Sequence, residues 1–141
     1  MHVRKSVLAS AFLLVASLLA VALVGCSGSA LDGTRWRLTE WTVSSVDPAA
    51  ITVTAVFSDG RISGSGGVNT YSGDYSTGPR GAFGVGELAL TAMAGPEPQM
   101  RAEAAYLALL QQAESFKIAG NQLTLYDEGG NESLIFAAVG R

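Results

Sequence analysis

The chain has 141 residues, enough for one domain with a single core and too few for two. Twelve acidic residues against nine basic ones give a net charge of −3, and beyond Arg4-Lys5 the basic residues are scattered singly, which excludes the electrostatic footprint of a nucleic-acid binder. One cysteine and one histidine exclude an intrachain disulfide and any zinc site built from several Cys and His side chains.

The first 25 residues differ in character from the rest. Arg4 and Lys5 precede an apolar run, Val7 to Val24, that ends at Gly25-Cys26. A basic start, an apolar centre and a small residue at the end make a secretory signal peptide. With cysteine directly after Gly25, the segment closely resembles a bacterial lipoprotein signal. The resemblance implies that Cys26 receives a diacylglyceryl group, that cleavage falls between Gly25 and Cys26, and that residues 1–25 are removed. An uncleaved anchor is the alternative. The run spans 18 residues, close to the roughly 20 that cross a bilayer, and the positive charge ahead of it suits that orientation too. The abrupt stop at Gly25-Cys26-Ser27-Gly28-Ser29, with no aromatic or basic flank, favours the lipoprotein. Both readings place the body outside the cytoplasm, and the lipoprotein reading anchors it by lipid to the extracytoplasmic face of a cell membrane or outer membrane.

Cleavage has chemical consequences. It leaves 116 of the 141 residues, and loss of Arg4 and Lys5 leaves seven basic against twelve acidic side chains, a net charge of −5. His2 departs with the signal and Cys26 is taken up by lipid, so the body has no imidazole and no free thiol. Ser-His-Asp and Cys-His catalysis are then excluded. A Ser–Lys pair would have to use Lys117, which the alternation Ser115-Phe116-Lys117-Ile118 places on the solvent face of a strand. The expectation is a protein that is not an enzyme and holds no cofactor or metal.

Residues 26–30 form a short tether, and the domain follows over 31–139. Thr34–Thr39 alternates with Trp36 and Leu38 inward. Trp41 and Val43 continue the pattern after a phase change near Glu40, the mark of a bulge. Ile51–Phe57 is β-branched and apolar, a strand, and Asp59-Gly60 is the turn of a tight hairpin back through Arg61–Gly64. Gly64-Ser65-Gly66-Gly67-Val68-Asn69 invites a phosphate-cradling reading, but that motif needs a helix directly after the loop. Here the alternating Tyr71–Tyr75 follows, so the loop reads as a tight strand connection. Asn69 and Thr70, which might be taken for catalytic groups, read as turn residues for the same reason.

Gly78-Pro79-Arg80-Gly81 is a turn, and Phe83–Leu90 reads as one long strand curved at its glycines. Pro96-Glu97-Pro98 opens a helix to about Ala113, with Met100, Leu107 and Leu110 in an apolar stripe beside Glu103, Tyr106 and Ala113. Strands at Ser115–Ala119, Gln122–Tyr126 and Ser133–Val139 close the chain. The predicted fold is mainly β with one helix (α+β): a small curled antiparallel sheet or barrel of about eight strands.

Three motifs carry a resemblance to a known family. Leu31-Asp32-Gly33-Thr34-Arg35-Trp36-Arg37-Leu38 resembles the "L-x-G-T-x-W-x-L" opening of the META domain family, the HslJ-like proteins. Gly66-Gly67-Val68-Asn69-Thr70-Tyr71-Ser72-Gly73 resembles its "G-G-C-N-x-Y-x-G" centre, and Thr91-Ala92-Met93-Ala94-Gly95-Pro96-Glu97 its "T-x-M-A-C-P-E". The resemblance implies a small β-rich fold with one helix. It marks Gly33, Trp36, Gly66, Gly67, Asn69, Tyr71, Gly73, Thr91, Met93 and Pro96 as structural motif positions and supplies no catalytic set. Val68 and Gly95 stand where relatives commonly carry cysteine. Their joint departure implies two residues that would otherwise bond to each other.

The expected function is a non-catalytic, membrane-tethered envelope protein that binds another envelope component or supports stress tolerance. An alternative is a carrier holding a small apolar ligand in a barrel cavity against Trp36, Trp41, Phe57 and Tyr75. A hydrolase using carboxylates among Asp59, Asp74 and Glu87 is the remaining option. The expected partners are the membrane, through lipid on Cys26, and an envelope protein or small ligand.

Overall fold

The computed structural model describes residues 29–42 and 45–140; Gly25, Cys26 and Val43 lie outside them. Eight antiparallel strands close into a barrel. They are β1 (Thr34–Trp41), β2 (Thr54–Ser58), β3 (Arg61–Ser65), β4 (Thr70–Gly78), β5 (Ala82–Val85), β7 (Ser115–Ala119), β8 (Gln122–Tyr126) and β9 (Glu132–Ala138). The ring runs β3-β2-β1-β9-β8-β7-β5-β4 and closes through β3–β4 pairing. The two-residue β6 (Ala89–Leu90) hangs on β4, and one helix, α1 (Glu97–Gln112), precedes β7.

Local chemistry accounts for most of these elements. Asp59 and Gly60 take φ of 52° and 75°, so a two-residue turn joins β2 to β3 with Ser58 opposite Arg61. The phase change near Glu40 is a bulge, where the β1–β9 register shifts between Leu38 and Glu40. Lys117 is exposed on β7, as the alternation requires. Strand β2 begins at Thr54 rather than Ile51. Ile51 and Val53 are nevertheless buried, and the Val53 carbonyl accepts from the Leu38 N–H.

Two expectations need correction. The run Phe83–Leu90 is not one strand: it breaks at 86–88, where three residues lie opposite two of β4 and bulge over Gly73. A Cβ on Gly73 would stand 2.7 Å from the Glu87 carbonyl oxygen, so only glycine admits that approach. The buried face of α1 is also rotated from the expected stripe. It consists of Ala102, Glu103, Tyr106 and Leu110, while Met100 and Leu107 are half-buried at its margins.

The two ends of the barrel differ. Residues 29–33 and 139–140 lie at one end with the Asp59-Gly60 and Gly120-Asn121 turns, joined by Gly33 N–H to the Phe57 carbonyl and Val139 N–H to the Arg35 carbonyl. The Gly66–Asn69 loop, the turn after Tyr126 and α1 lie at the other. Aromatic rings fill the space between: Phe57 meets Tyr75 edge-on at 4.9 Å between centroids, and Tyr106 meets Tyr71 at 5.6 Å and Phe136 at 6.3 Å.

Tyr71 and Tyr106 share a hydrogen bond of 2.7 Å between their hydroxyls, and the Tyr71 hydroxyl also reaches the Thr54 carbonyl at 2.7 Å. Burial pushes both phenols well above the usual tyrosine range. The folded state therefore favours the neutral phenols. Their contribution to stability is complete below the unfolded pKa of about 10 and is lost as pH rises through the folded values. In an alkaline titration, phenolate absorbance from these two residues should appear only together with loss of near-UV circular dichroism. Ionisation near pH 10 in an intact fold would contradict this packing.

Candidate functional site

The Gly66–Asn69 loop closes around the carboxylate of Glu103. The Val68 and Asn69 N–H groups donate to Oε2 at 2.8 and 2.5 Å, and Asn69 Nδ2 donates to Oε1 at 2.7 Å. Glu103 is 4 % exposed, and a carboxylate this buried is tolerable only with donors of this kind. Both glycines serve the contact. A Cβ on Gly66 would lie 2.9 Å from Glu103 Oε2, and Gly67 has φ of +118° with its Cβ position 2.9 Å from the Ile51 side chain. The backbone N–H groups of a glycine-rich loop thus do cradle an anion, and the anion belongs to the chain itself.

Asn69 carries the network outward. Its Oδ1 accepts from the Met93 N–H at 2.7 Å and from Thr91 Oγ1 at 2.9 Å, and its Nδ2 also reaches the Met93 carbonyl at 3.3 Å. Thr91 Oγ1 in turn accepts from the Thr70 N–H at 3.1 Å. The extended chain after β6 is thereby strapped to β4 by its backbone while its side chains face out: Leu90 is 51 % and Met93 62 % exposed. A groove of about 590 Å³ adjoins this strip, lined by the hydroxyl-bearing Ser63, Ser65, Thr70, Ser72 and Thr91.

The structure thus gathers five of the motif residues, Gly66, Gly67, Asn69, Thr91 and Met93, around one carboxylate. Tyr71 adjoins them through Tyr106, one helical turn beyond Glu103. Gly33 and Trp36 sit at the opposite end, Gly33 with φ of +76° ahead of β1 and Trp36 donating through Nε1 to Thr34 Oγ1 at 2.7 Å. Gly73 makes room for the bulge between β5 and β6, and Pro96 stands directly before α1. Glu103 is the residue that pattern reading undervalues. Its signal is an acid on the same helix face as Ala102, Tyr106 and Leu110, in a chain that also holds a loop rich in free N–H donors.

The other candidates are placed differently. Trp36, Phe57 and Tyr75 are buried in the packed core, and half-buried Trp41 donates through Nε1 to the Val46 carbonyl at 2.8 Å. Asp59, Asp74 and Glu87 are exposed, and Asp74 pairs with Arg61 at 2.7 Å. Among the described residues, no three His, Cys, Asp or Glu side chains gather closely enough to hold a metal ion.

Val68 and Gly95 are neighbours. A Cβ built on Gly95 lies 3.5 Å from Val68 Cβ and 2.9 Å from both its methyl carbons, and disulfides have Cβ separations of about 3.5–4.5 Å. The valine methyls occupy the space a second side chain would need.

Two outcomes are expected. Glu103→Gln, although isosteric, should lower unfolding free energy by roughly 1–3 kcal/mol in urea titrations. One amide oxygen cannot serve all three donors, and the amide nitrogen would face Asn69 Nδ2, whose partner oxygen is already engaged by Thr91 and Met93. Glu103→Ala should cost more, and two variants as stable as the parent would remove the loop contact from the account of stability. Separately, Val68→Cys/Gly95→Cys in a Cys26→Ser background should form a disulfide in air and gain roughly 2–4 kcal/mol on oxidation. Persistent free thiols in a folded protein would rule out the proximity.

The fold and sequence have recognisable relatives. The model of the META domain matches residues 29–140. A protein from Burkholderia xenovorans solved by NMR is similar at 27 % identity and a TM-score of 0.65, over 79 % of this chain and 85 % of that one. A DUF4847 family protein from Bacteroides vulgatus shares the fold at 15 % identity and a TM-score of 0.56, over 77 % and 94 % of the two chains. No curated protein matches. With the family model covering nearly the whole described domain, and five of its motif residues gathered around Glu103, the chain belongs to the META domain family.

Proposed function

We propose that the protein is a membrane-anchored extracytoplasmic lipoprotein whose META domain binds an envelope component and performs no chemistry. The observation that carries this reading is how closely the fold follows Cys26. Ser29, three residues later, is already part of it: its carbonyl accepts from the Asp32 N–H at 2.9 Å and its hydroxyl from the Leu31 N–H at 3.2 Å. A diacylglyceryl group at Cys26 would supply two acyl chains, enough for stable anchoring at about 0.8 kcal/mol per buried methylene. An acidic domain without a basic patch gains little electrostatic help from anionic lipid, so the lipid would be the principal anchor.

A binding role draws support from what the fold keeps inside and what it presents. Aromatic rings occupy the interior, and among the described residues Gln99 Oε1 is the one buried side-chain polar atom without a partner. The exposed Leu90 and Met93 stand on a strip whose backbone is fixed. Support of envelope stress tolerance would be an outcome of such binding. Apolar-ligand carriage is the weaker reading, because Trp36, Phe57 and Tyr75 fill the space it needs.

Fractionation of cells expressing the full chain tests the anchoring. The parent should sediment with membranes at the size left by cleavage before Cys26, and Cys26→Ala should be released to the extracytoplasmic fluid or stay uncleaved. A Cys26→Ala protein that is membrane-bound at the processed size would refute the lipid anchor.

A further inference from the structure

The end of the barrel where the described chain begins, at Ser29, carries a groove of about 650 Å³ with walls from Ala30, Gly33, Arg35, Trp36, Ile118 and Val139. A smaller hollow of about 440 Å³ adjoins it beside Arg35 and Val139. Val139 is 47 % exposed, one of three large apolar side chains so exposed among the described residues. The chain has twelve acidic residues, yet none lines either hollow, and among the described residues Arg35 is the one charged side chain that does. Asp32 and Asp59 are exposed at the same end but line neither hollow, and Asp32 accepts from the Asp59 N–H at 2.7 Å.

We propose that this groove is the face the domain rests on the membrane, with Arg35 on phospholipid phosphates and Val139 at the boundary between headgroups and acyl chains. The inference rests on the lipoprotein reading above. Three residue steps separate Cys26 from Ser29 and reach at most about 11 Å, whereas a domain of this size is roughly 35 Å across. Ala30 lines the groove itself, so the tether holds this end within reach of the bilayer in every orientation it allows. Tethering also raises the local concentration of the bilayer at this face, so one arginine and one exposed valine suffice to bias orientation. A guanidinium on an apolar rim suits the interface, because the stem lies on apolar surface while the charge meets phosphate.

Depth-dependent quenching tests the orientation. Val139→Cys and Glu128→Cys are labelled separately with a fluorophore on the full lipidated chain, in vesicles of phosphatidylethanolamine and phosphatidylglycerol containing a nitroxide-labelled lipid. Glu128 lies in the turn after β8, at the far end of that strand from Asn121. The Cys26 sulfur, held as a thioether, would not take the label. Quenching at position 139 should exceed that at 128 at least threefold, and Arg35→Glu should at least halve that ratio. Equal quenching, or stronger quenching at 128, in protein that floats with the vesicles overturns the orientation and leaves the anchoring intact. A threefold ratio that survives Arg35→Glu overturns the role given to Arg35. Protein that fails to float, or whose Cys26 accepts the label, overturns the anchoring and this inference with it.

Discussion

One buried carboxylate holds this domain together at its helical end. Glu103 reaches from α1 into a loop more than thirty positions earlier in the chain and satisfies two backbone N–H groups and a side-chain amide there. The contact accounts for local sequence on both sides. Gly66 is small because the carboxylate lies where its Cβ would be, Gly67 takes a left-handed φ, and Asn69 supplies an amide that donates inward and accepts from outside. Tyr106, three residues further on the same helix face, adds the hydroxyl pair with Tyr71. The helix is thus fixed by two polar contacts one turn apart, which specify its rotation more narrowly than apolar burial would. The modest half-burial of Met100 and Leu107 follows from that rotation.

The strands and turns were legible because their causes are local. Alternation placed Trp36 and Leu38 inward, Asp59-Gly60 announced a hairpin, and the lost phase at Glu40 marked a true bulge. The break between β5 and β6 was not legible, because it depends on Gly73 in a different strand, over which the bulged chain presses its backbone. The role of Glu103 was hidden for a related reason. An acid on a helix reads as a solvated position until the loop that neutralises it is brought up against it. The aromatics were ambiguous in another way: ring residues on inward-facing positions can line a chamber or fill a core, and only the volume between strands decides. In this barrel the rings meet one another at 4.9–6.5 Å between centroids and fill it.

The pair Val68 and Gly95 shows how two positions far apart in sequence are fitted to each other. The β3–β4 loop and the chain entering α1 must lie side by side, because Asn69 binds Met93 and Glu103 binds Asn69. A covalent link across that junction would constrain the unfolded chain. Without one, hydrogen bonds and the valine methyls over Gly95 hold the junction. The small residue at 95 follows from the large one at 68, since two bulky side chains would not fit at the separation the hydrogen bonds impose. The two positions are coupled through space, and changing either alone leaves a void or a clash.

The barrel is polarised as a result. Its polar fastening, helix and exposed Leu90–Met93 strip gather towards one end, and the described chain begins and finishes at the other. On the proposed anchoring, the strip would stand away from the bilayer, on a backbone already ordered by Asn69 and Thr91. Ordering a loop on binding costs free energy, and a strip fixed in advance avoids that cost. The short β6 limits the open edge beside it to two paired residues, too little to template pairing with another copy. A rigid, short and partly apolar edge offers a partner a surface that is already ordered, and the loop takes three of the four lone-pair sites on the carboxylate that keeps it rigid.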